Sequence, residues 1–287
     1  MPRTSRTWCP EQAKQIIVNL KPELTSPMPT FLFDSIVFGP VRSRRLGVSL
    51  GINLLPLTRK VCSYNCIYCE CGWTHAGDGN SEALPSRTAV REALRQKLSE
   101  MREKGTAPDV ITYAGNGEPT LHPDFAAIID DSVALRSEFF PDAKVSVLSN
   151  GSMIHRKSVR EALKRVDMNI LKLDSVFPET LRRMNRPRRP FDLARYESYL
   201  GDFNGQFIIQ TLFVRGRCDG ETIDNATPGE ISAWLEVIAR LKPQSVMIYT
   251  IDRDTPDGNE LRKVPAAELH AIAERVEALG IPASVSG

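Results

Sequence analysis

A chain of 287 residues can bury a full core, as one large α/β domain or two smaller ones. Apolar residues make up 41% and charged residues 25%, the balance of an ordinary soluble globular protein. With 37 basic against 35 acidic residues the net charge is only +2, so no global field points to nucleic acid or a membrane, and any such signal must be local.

Residues 1–35 read as an irregular N-terminal extension, because Pro2, Pro10, Pro22, Pro27 and Pro29 interrupt any long element. Met1 to Lys14 carry no apolar core of signal-peptide type, and no stretch of the chain reaches spanning length. A cytoplasmic protein with no membrane partner is expected, in a compartment where clustered cysteines bind metal or react rather than form disulfides.

From residue 36 to 287 strand-like and helix-like segments alternate within one domain. The first strand, Val48–Leu54, runs into Cys62-Ser-Tyr-Asn-Cys66-Ile-Tyr-Cys69. A stripe of Val90, Leu94, Leu98 and Met101 predicts a helix that Gly105 stops. Val110–Ala114 is the second strand, followed by Gly115-Asn116-Gly117-Glu118, and Asp124–Phe139 is the next helix. Lys144–Leu148, then Ser149-Asn150-Gly151, precede a helix over Lys157–Arg165. Asn169–Asp174 is the fourth strand, with short helices over Glu179–Met184 and Leu193–Leu200 after it. Phe207–Val214 leads to Thr227-Pro228-Gly229-Glu230, a capping box opening a helix striped by Ile231, Leu235, Ile238 and Leu241. Val246–Asp252 is the sixth strand, and a stripe of Leu269, Ile272, Val276 and Leu279 ends at Gly280.

Six such repeats imply parallel strands with right-handed crossovers. Six are too few for the closed eight-stranded barrel. An open partial (β/α)6 barrel is the expected fold, with a doubly wound sheet as the alternative.

Chemistry concentrates after the first two strands, where α/β folds build their sites. Three thiolates within eight residues suit a [4Fe-4S] cube with three irons held by protein and the fourth left open. Cys71 follows closely, so a structural zinc site on four cysteines is the rival, although four sulfurs within ten residues suit a single tetrahedron poorly. Gly115 and Gly117 permit positive φ and close backbone approach to a ligand, and Glu118 offers a carboxylate to an ammonium group.

These two constellations together resemble the radical S-adenosylmethionine (SAM) superfamily. The resemblance implies one [4Fe-4S] cluster on Cys62, Cys66 and Cys69, with Tyr68 on the adenine of SAM. It implies that Gly115, Gly117 and Glu118 hold the methionine amino end. Asn150 then belongs to a further SAM-contacting turn, Asp174 and Ser175 contact ribose or carboxylate, and Tyr249 stands on the adenine side. The implied reaction is one-electron cleavage of SAM to methionine and a 5′-deoxyadenosyl radical, which takes hydrogen from a substrate. A reductant such as flavodoxin or ferredoxin is implied with it.

The segments Phe38–Gly47, Gly117–Pro123 and Met184–Pro187 carry a narrower resemblance, over about residues 36–265, to a cytosolic Fe-S group related to the wyosine synthases, which modify a tRNA base. Those enzymes carry a second cysteine triplet upstream, whereas this chain offers only Cys9 there. The substrate is therefore open between RNA, a peptide or protein, and a metabolite. Candidates for its side of the site are Cys71, Cys218, His122 and Arg253. Arg182, Arg183, Arg186, Arg188 and Arg189, with Arg42, Arg44 and Arg45, could clamp phosphate or simply form a solvated, ion-paired face.

Overall fold

The computed structural model describes residues 31–43, 45–74, 83–252 and 260–287. Most of the expected N-terminal extension, with Cys9, therefore lies outside the described residues, as do Arg44 and Arg253. Residues 31–36 form no helix or strand.

The main sheet has eight strands. An edge strand, β1 (Val37–Ser43), pairs antiparallel with β2 (Gly47–Ile52). Then come β3 (Val110–Tyr113), β4 (Lys144–Ser149), β5 (Met168–Lys172) and β6 (Ile208–Leu212), each parallel to its neighbour. The order continues through β9 (Ser245–Tyr249) to β11 (Ala283–Ser286), also parallel. The sheet is open, since β1 and β11 are its two edges. It is the expected partial barrel, with all six expected strands in sequence order.

Two main-sheet strands escaped the sequence reading. The segment of β11 is too short and polar to give an apolar run, and β1 contains Gly39-Pro40, which reads as a turn. The predicted strand Phe207–Val214 divides. Its first part is β6, while β7 (Val214–Cys218) leaves for a second, antiparallel sheet with β8 (Glu221–Asp224) and β10 (Leu261–Lys263).

The helices follow their local signals. In α1 (Arg87–Glu103) the buried residues are Val90, Leu94, Leu98 and Met101, and the Ser86 side chain accepts from the Ala89 N–H. The Thr227 side chain caps α6 (Pro228–Leu241) by accepting from the Glu230 N–H. The others are α2 (Phe125–Phe139), α3 (Lys157–Leu163), α4 (Pro178–Asn185), α5 (Leu193–Gly201) and α7 (Ala266–Glu277). Among the described residues no helix is long and apolar enough to cross a membrane.

One large core joins the sheet to its helices, with Leu50, Ile52, Leu94 and Ile111 at 0% exposure. Truncating such a leucine to alanine costs about 2–5 kcal/mol. A second, smaller core backs the cysteine loop, where Tyr64, Ile67 and Tyr68 pack with Met184, Leu212 and Cys218. This second core ties the cysteine loop to α4 and to the end of β6.

Candidate functional site

The cysteine loop is stitched to the glycine loop by backbone. Val61 and Gly117 form an isolated parallel bridge. The Val61 N–H donates to the Asn116 carbonyl at 2.8 Å, and the Glu118 N–H donates to the Val61 carbonyl at 3.1 Å. A Cβ on Gly117, where φ is +137°, would lie 1.8 Å from the Val61 oxygen. A Cβ on Gly115, at φ +133°, would lie 2.6 Å from Asn53 Oδ1. The close approach that these glycines permit is to the chain's own loops, which a larger residue would pry apart.

Cys62, Cys66, Cys69 and Cys71 line one cavity of about 360 Å³ together with Gly115, Gly117, Glu118 and Asn150. Among the described residues no three His, Cys, Asp or Glu side chains are placed to hold one metal ion. Thiols spread around a shared cavity fit a cube, in which each would bind a different iron.

Three N–H groups point at the sulfurs. The Tyr64 N–H donates to Cys62 Sγ at 3.4 Å, and Asn150 Nδ2 donates to the same sulfur at 3.5 Å. Asn185 Nδ2 donates to Cys66 Sγ at 3.5 Å. Such bonds are one of the means by which a protein sets a cluster's potential.

Charge adds to this. Lys60 is 5% exposed, and its ammonium donates to the Gly72 carbonyl at 2.7 Å. Burial works to lower its pKa, but Cys69, Cys62 and Cys66 together hold it above the ordinary value, so the cation persists. Burial, with Glu118 and Cys66 nearby, pushes the Cys62 thiol up to about 12, and burial raises Cys66 as well. Cys69 goes the other way, to about 5, chiefly because Cys71 donates to it and Lys60 is close. Cys71 is correspondingly raised, and its sulfur lies 3.4 Å from the Gly115 carbonyl oxygen, the alternative acceptor for its one proton.

Glu118 is 2% exposed and serves as a brace. Its Oε1 accepts from the Thr120 N–H and hydroxyl and from Ser149 Oγ, and its Oε2 accepts from the Asn150 N–H at 2.6 Å. The carboxyl thus ties the loop after β3 to the loop after β4. Burial raises its pKa, against the pull of those donors.

A second polar group sits behind Cys66. The Tyr68 hydroxyl donates to Asp174 Oδ2 and accepts from Lys172 Nζ at 3.0 Å. Asn185 Nδ2 donates to Asp174 Oδ2 at 2.7 Å, and the Leu212 N–H donates to Asp174 Oδ1 at 3.0 Å. Burial works against the charge on Lys172, but Asp174 more than offsets it and its pKa is raised. Lys172 lines the cavity, as does Tyr249, whose ring lies under the Arg45 guanidinium at 4.6 Å.

Other candidates are placed elsewhere. Ser175 Oγ donates to Glu230 Oε2 at 2.7 Å, against α6. His122 is 3% exposed; its Nδ1 accepts from the Asp124 N–H at 3.1 Å, which leaves Nε2 to donate to the Pro85 carbonyl at 2.9 Å. Cys218 is buried in the second core and receives Arg186 Nη2 at 3.0 Å. Arg182 and Arg183 pair with Glu179 and Glu221, and Arg186 pairs with Asp219.

Lys60, Lys172 and Asn185 were missed by the sequence reading. The first two carried a usable signal. Lys60 stands two residues before Cys62, and Lys172 ends an apolar strand. Lys172 also lies two residues before Asp174, so an extended backbone turns both to one side.

A half-barrel with thiols, fixed donors and buried cations around one rim cavity defines a cofactor-dependent enzyme of the iron-sulfur type. The chain belongs to the radical SAM superfamily, whose sequence profile matches residues 58–195. Enzymes of this superfamily use a [4Fe-4S] cluster and SAM, and those are this protein's cofactors. Within the superfamily it groups with the UPF0026 proteins. One of these, from Helicobacter pylori (strain J99), is 31% identical over 221 residues, which is 76% of this chain and 67% of that protein. A match of 30% identity over 223 residues to "GTPase Obg" of Brachyspira hyodysenteriae covers 76% of this chain but only 30% of that longer protein. Among solved structures, a radical SAM methyltransferase from Sphaerobacter thermophilus shares the fold at TM-score 0.60 and 13% identity, over 83% of this chain and 65% of that one.

Proposed function

We propose that Cys62, Cys66 and Cys69 hold a single [4Fe-4S] cluster, that SAM binds at the iron they leave open, and that residues 36–287 work as one catalytic domain. A cluster and SAM held there would supply reductive cleavage of the sulfonium and, through it, hydrogen abstraction from a substrate. The observation that carries this reading is the shared cavity of about 360 Å³, rimmed by all three thiols, the glycine loop and Asn150.

The chain's own residues then divide the work. Gly115, Gly117, Glu118 and Asn150 frame the methionine end, with Glu118 Oε2 holding one protein donor and so able to accept an ammonium. Tyr68 and Tyr249 wall the adenosine end, and the bonds from Tyr68 to Asp174 and Lys172 fix its ring. Lys60 keeps a positive charge beside the thiols, and the Asn150 and Asn185 amides donate to two of the sulfurs. The second core packs behind the loop and buries Cys66, Ile67 and Tyr68.

Anaerobically reconstituted, dithionite-reduced protein should release 5′-deoxyadenosine above a Cys66→Ala blank. Release stimulated by host RNA would make this a nucleotide-modifying enzyme. Stimulation only by an RNA-depleted fraction would direct the search to peptides, proteins or metabolites. No release over the blank in either fraction would end the radical reading. Among the described residues the arginine run lends RNA little support, because Arg182, Arg183 and Arg186 are already paired with carboxylates.

A further inference from the structure

Cys62 and Tyr64 each line two cavities. One is the cofactor cavity. The other, of about 460 Å³, is walled by the cysteine loop, by residues 151–156 between β4 and α3, by residues 188–192 and by α5. Arg156, Arg188, Arg189 and Arg195 all stand on it and all are exposed. Among the described residues no carboxylate pairs with Arg156, Arg188 or Arg189, in contrast to Arg182, Arg183 and Arg186 of the same run.

We propose that this second cavity is the docking face for a small acidic electron-carrier protein, placed so that the electron enters across the wall formed by Cys62 and Tyr64. The inference rests on Cys62 being a cluster ligand. One electron leaves the carrier's reduced flavin or iron-sulfur centre and one enters the cluster; no bond forms or breaks.

Three observations favour it. An electron has to reach the cluster without opening the cofactor cavity to solvent, and this cavity meets the same cysteine from outside. The meeting is also rigid. The Arg188 N–H donates to the Ser63 carbonyl at 3.0 Å, and the Ser63 and Ser152 hydroxyls are bonded at 2.6 Å. Second, four guanidinium groups against one carboxylate, Asp192, leave a net positive rim on a chain whose net charge is only +2. Such a field steers an acidic partner to a short-lived encounter, and electron-transfer complexes of this kind bury less than about 1,200 Å².

Third, the aromatic residues are not free for nucleobases. Tyr196 is buried, packs on Phe191 at 5.3 Å between ring centres, and donates its hydroxyl to the Lys172 carbonyl. Tyr199 lies under the guanidinium groups of Arg160 and Arg195. Cations without an open stacking platform suit a protein carrier better than single-stranded RNA.

The test uses the reconstituted holoprotein with reduced flavodoxin as the probe. Bleaching of the cluster's visible absorbance is followed by stopped flow, alongside equilibrium binding of flavodoxin. Arg188→Glu with Arg189→Glu should slow flavodoxin-driven reduction by about tenfold or more at low salt, weaken binding in parallel and flatten the salt dependence. Dithionite-driven reduction should be unchanged. Arg188→Lys with Arg189→Lys should keep most of the wild-type rate. If the charge-reversed pair does not fold, Arg156→Glu, on a separate segment, should show the same loss to a lesser degree. Unchanged flavodoxin kinetics in the charge-reversed proteins would overturn the proposal. So would a loss of RNA binding with flavodoxin kinetics intact, which would give this face to a polyanion. Failure of the cluster reading looks different, because then the wild-type protein would not bleach with dithionite either.

Discussion

The two cavities that share Cys62 both carry cationic side chains, and they differ in what burial does to the charge. In the cofactor cavity Lys60 and Lys172 are largely withdrawn from water and held by the Gly72 carbonyl, Tyr68 and Asp174. There the charge is fixed in position, acts at low effective dielectric and is little screened by salt. In the outer cavity Arg156, Arg188 and Arg189 are exposed and unpaired among the described residues. There the same sign of charge is mobile and screened, and it acts on encounter rather than on chemistry. The sign of the charge is the same; depth decides whether it sets a potential or attracts a partner.

The largest effect should come from the thiols. Replacing Cys62, Cys66 or Cys69 singly with alanine should abolish cluster loading, read as iron content and visible absorbance. Cys71→Ala should keep the iron. If all four cysteines prove equally necessary, the cube reading gives way to a mononuclear site.

Gly117→Ala comes next. The added Cβ meets the Val61 carbonyl at 1.8 Å in a left-handed backbone. Strain of this kind costs about 1–3 kcal/mol, and urea unfolding should show a loss at least that large together with reduced iron uptake. Full stability would mean that the two loops are not held by backbone contact.

Lys60→Met tests the buried charge directly. Removing a fixed cation disfavours the more negative, reduced cluster, so the potential should fall by on the order of 50–100 mV, with Lys60→Arg closer to wild type. An electron paramagnetic resonance redox titration measures this. A rise, or no change, would show that Lys60 serves the loop's folding instead.

In the metal-free protein Cys69 should be the first thiol alkylated. A pKa near 5 makes it a thiolate at neutral pH, while Cys62 near 12 and the raised Cys66 and Cys71 stay protonated. Peptide mapping after brief iodoacetamide treatment reads the order, and acidification through about pH 5 should remove the preference.

The smallest effect is expected from Arg182→Ala. Its pairs with Glu179 and Glu221 are exposed, so unfolding and carrier kinetics should both stay within measurement error. A loss comparable to that of the Arg188 and Arg189 variant would erase the distinction between paired and unpaired arginines.

Local signals were sufficient for much of this molecule. The stripe of Val90, Leu94, Leu98 and Met101, the cap at Thr227 and the order of the six strands all follow from spacing along the chain, because helix faces and strand runs are local properties. The cysteine run and the glycine loop were legible for the same reason. Tertiary packing had to select the partners. It set Val61 against Gly117, brought Lys60, Lys172 and Asn185 to one cluster of thiols from three separate stretches, and turned His122 onto the Pro85 carbonyl. It also divided one arginine run between ion pairs and an open cavity. Periodicity tells which side of an element is apolar. Which buried charge meets which donor depends on the strand ends that share a rim, and that follows from how the sheet curls rather than from any segment read alone.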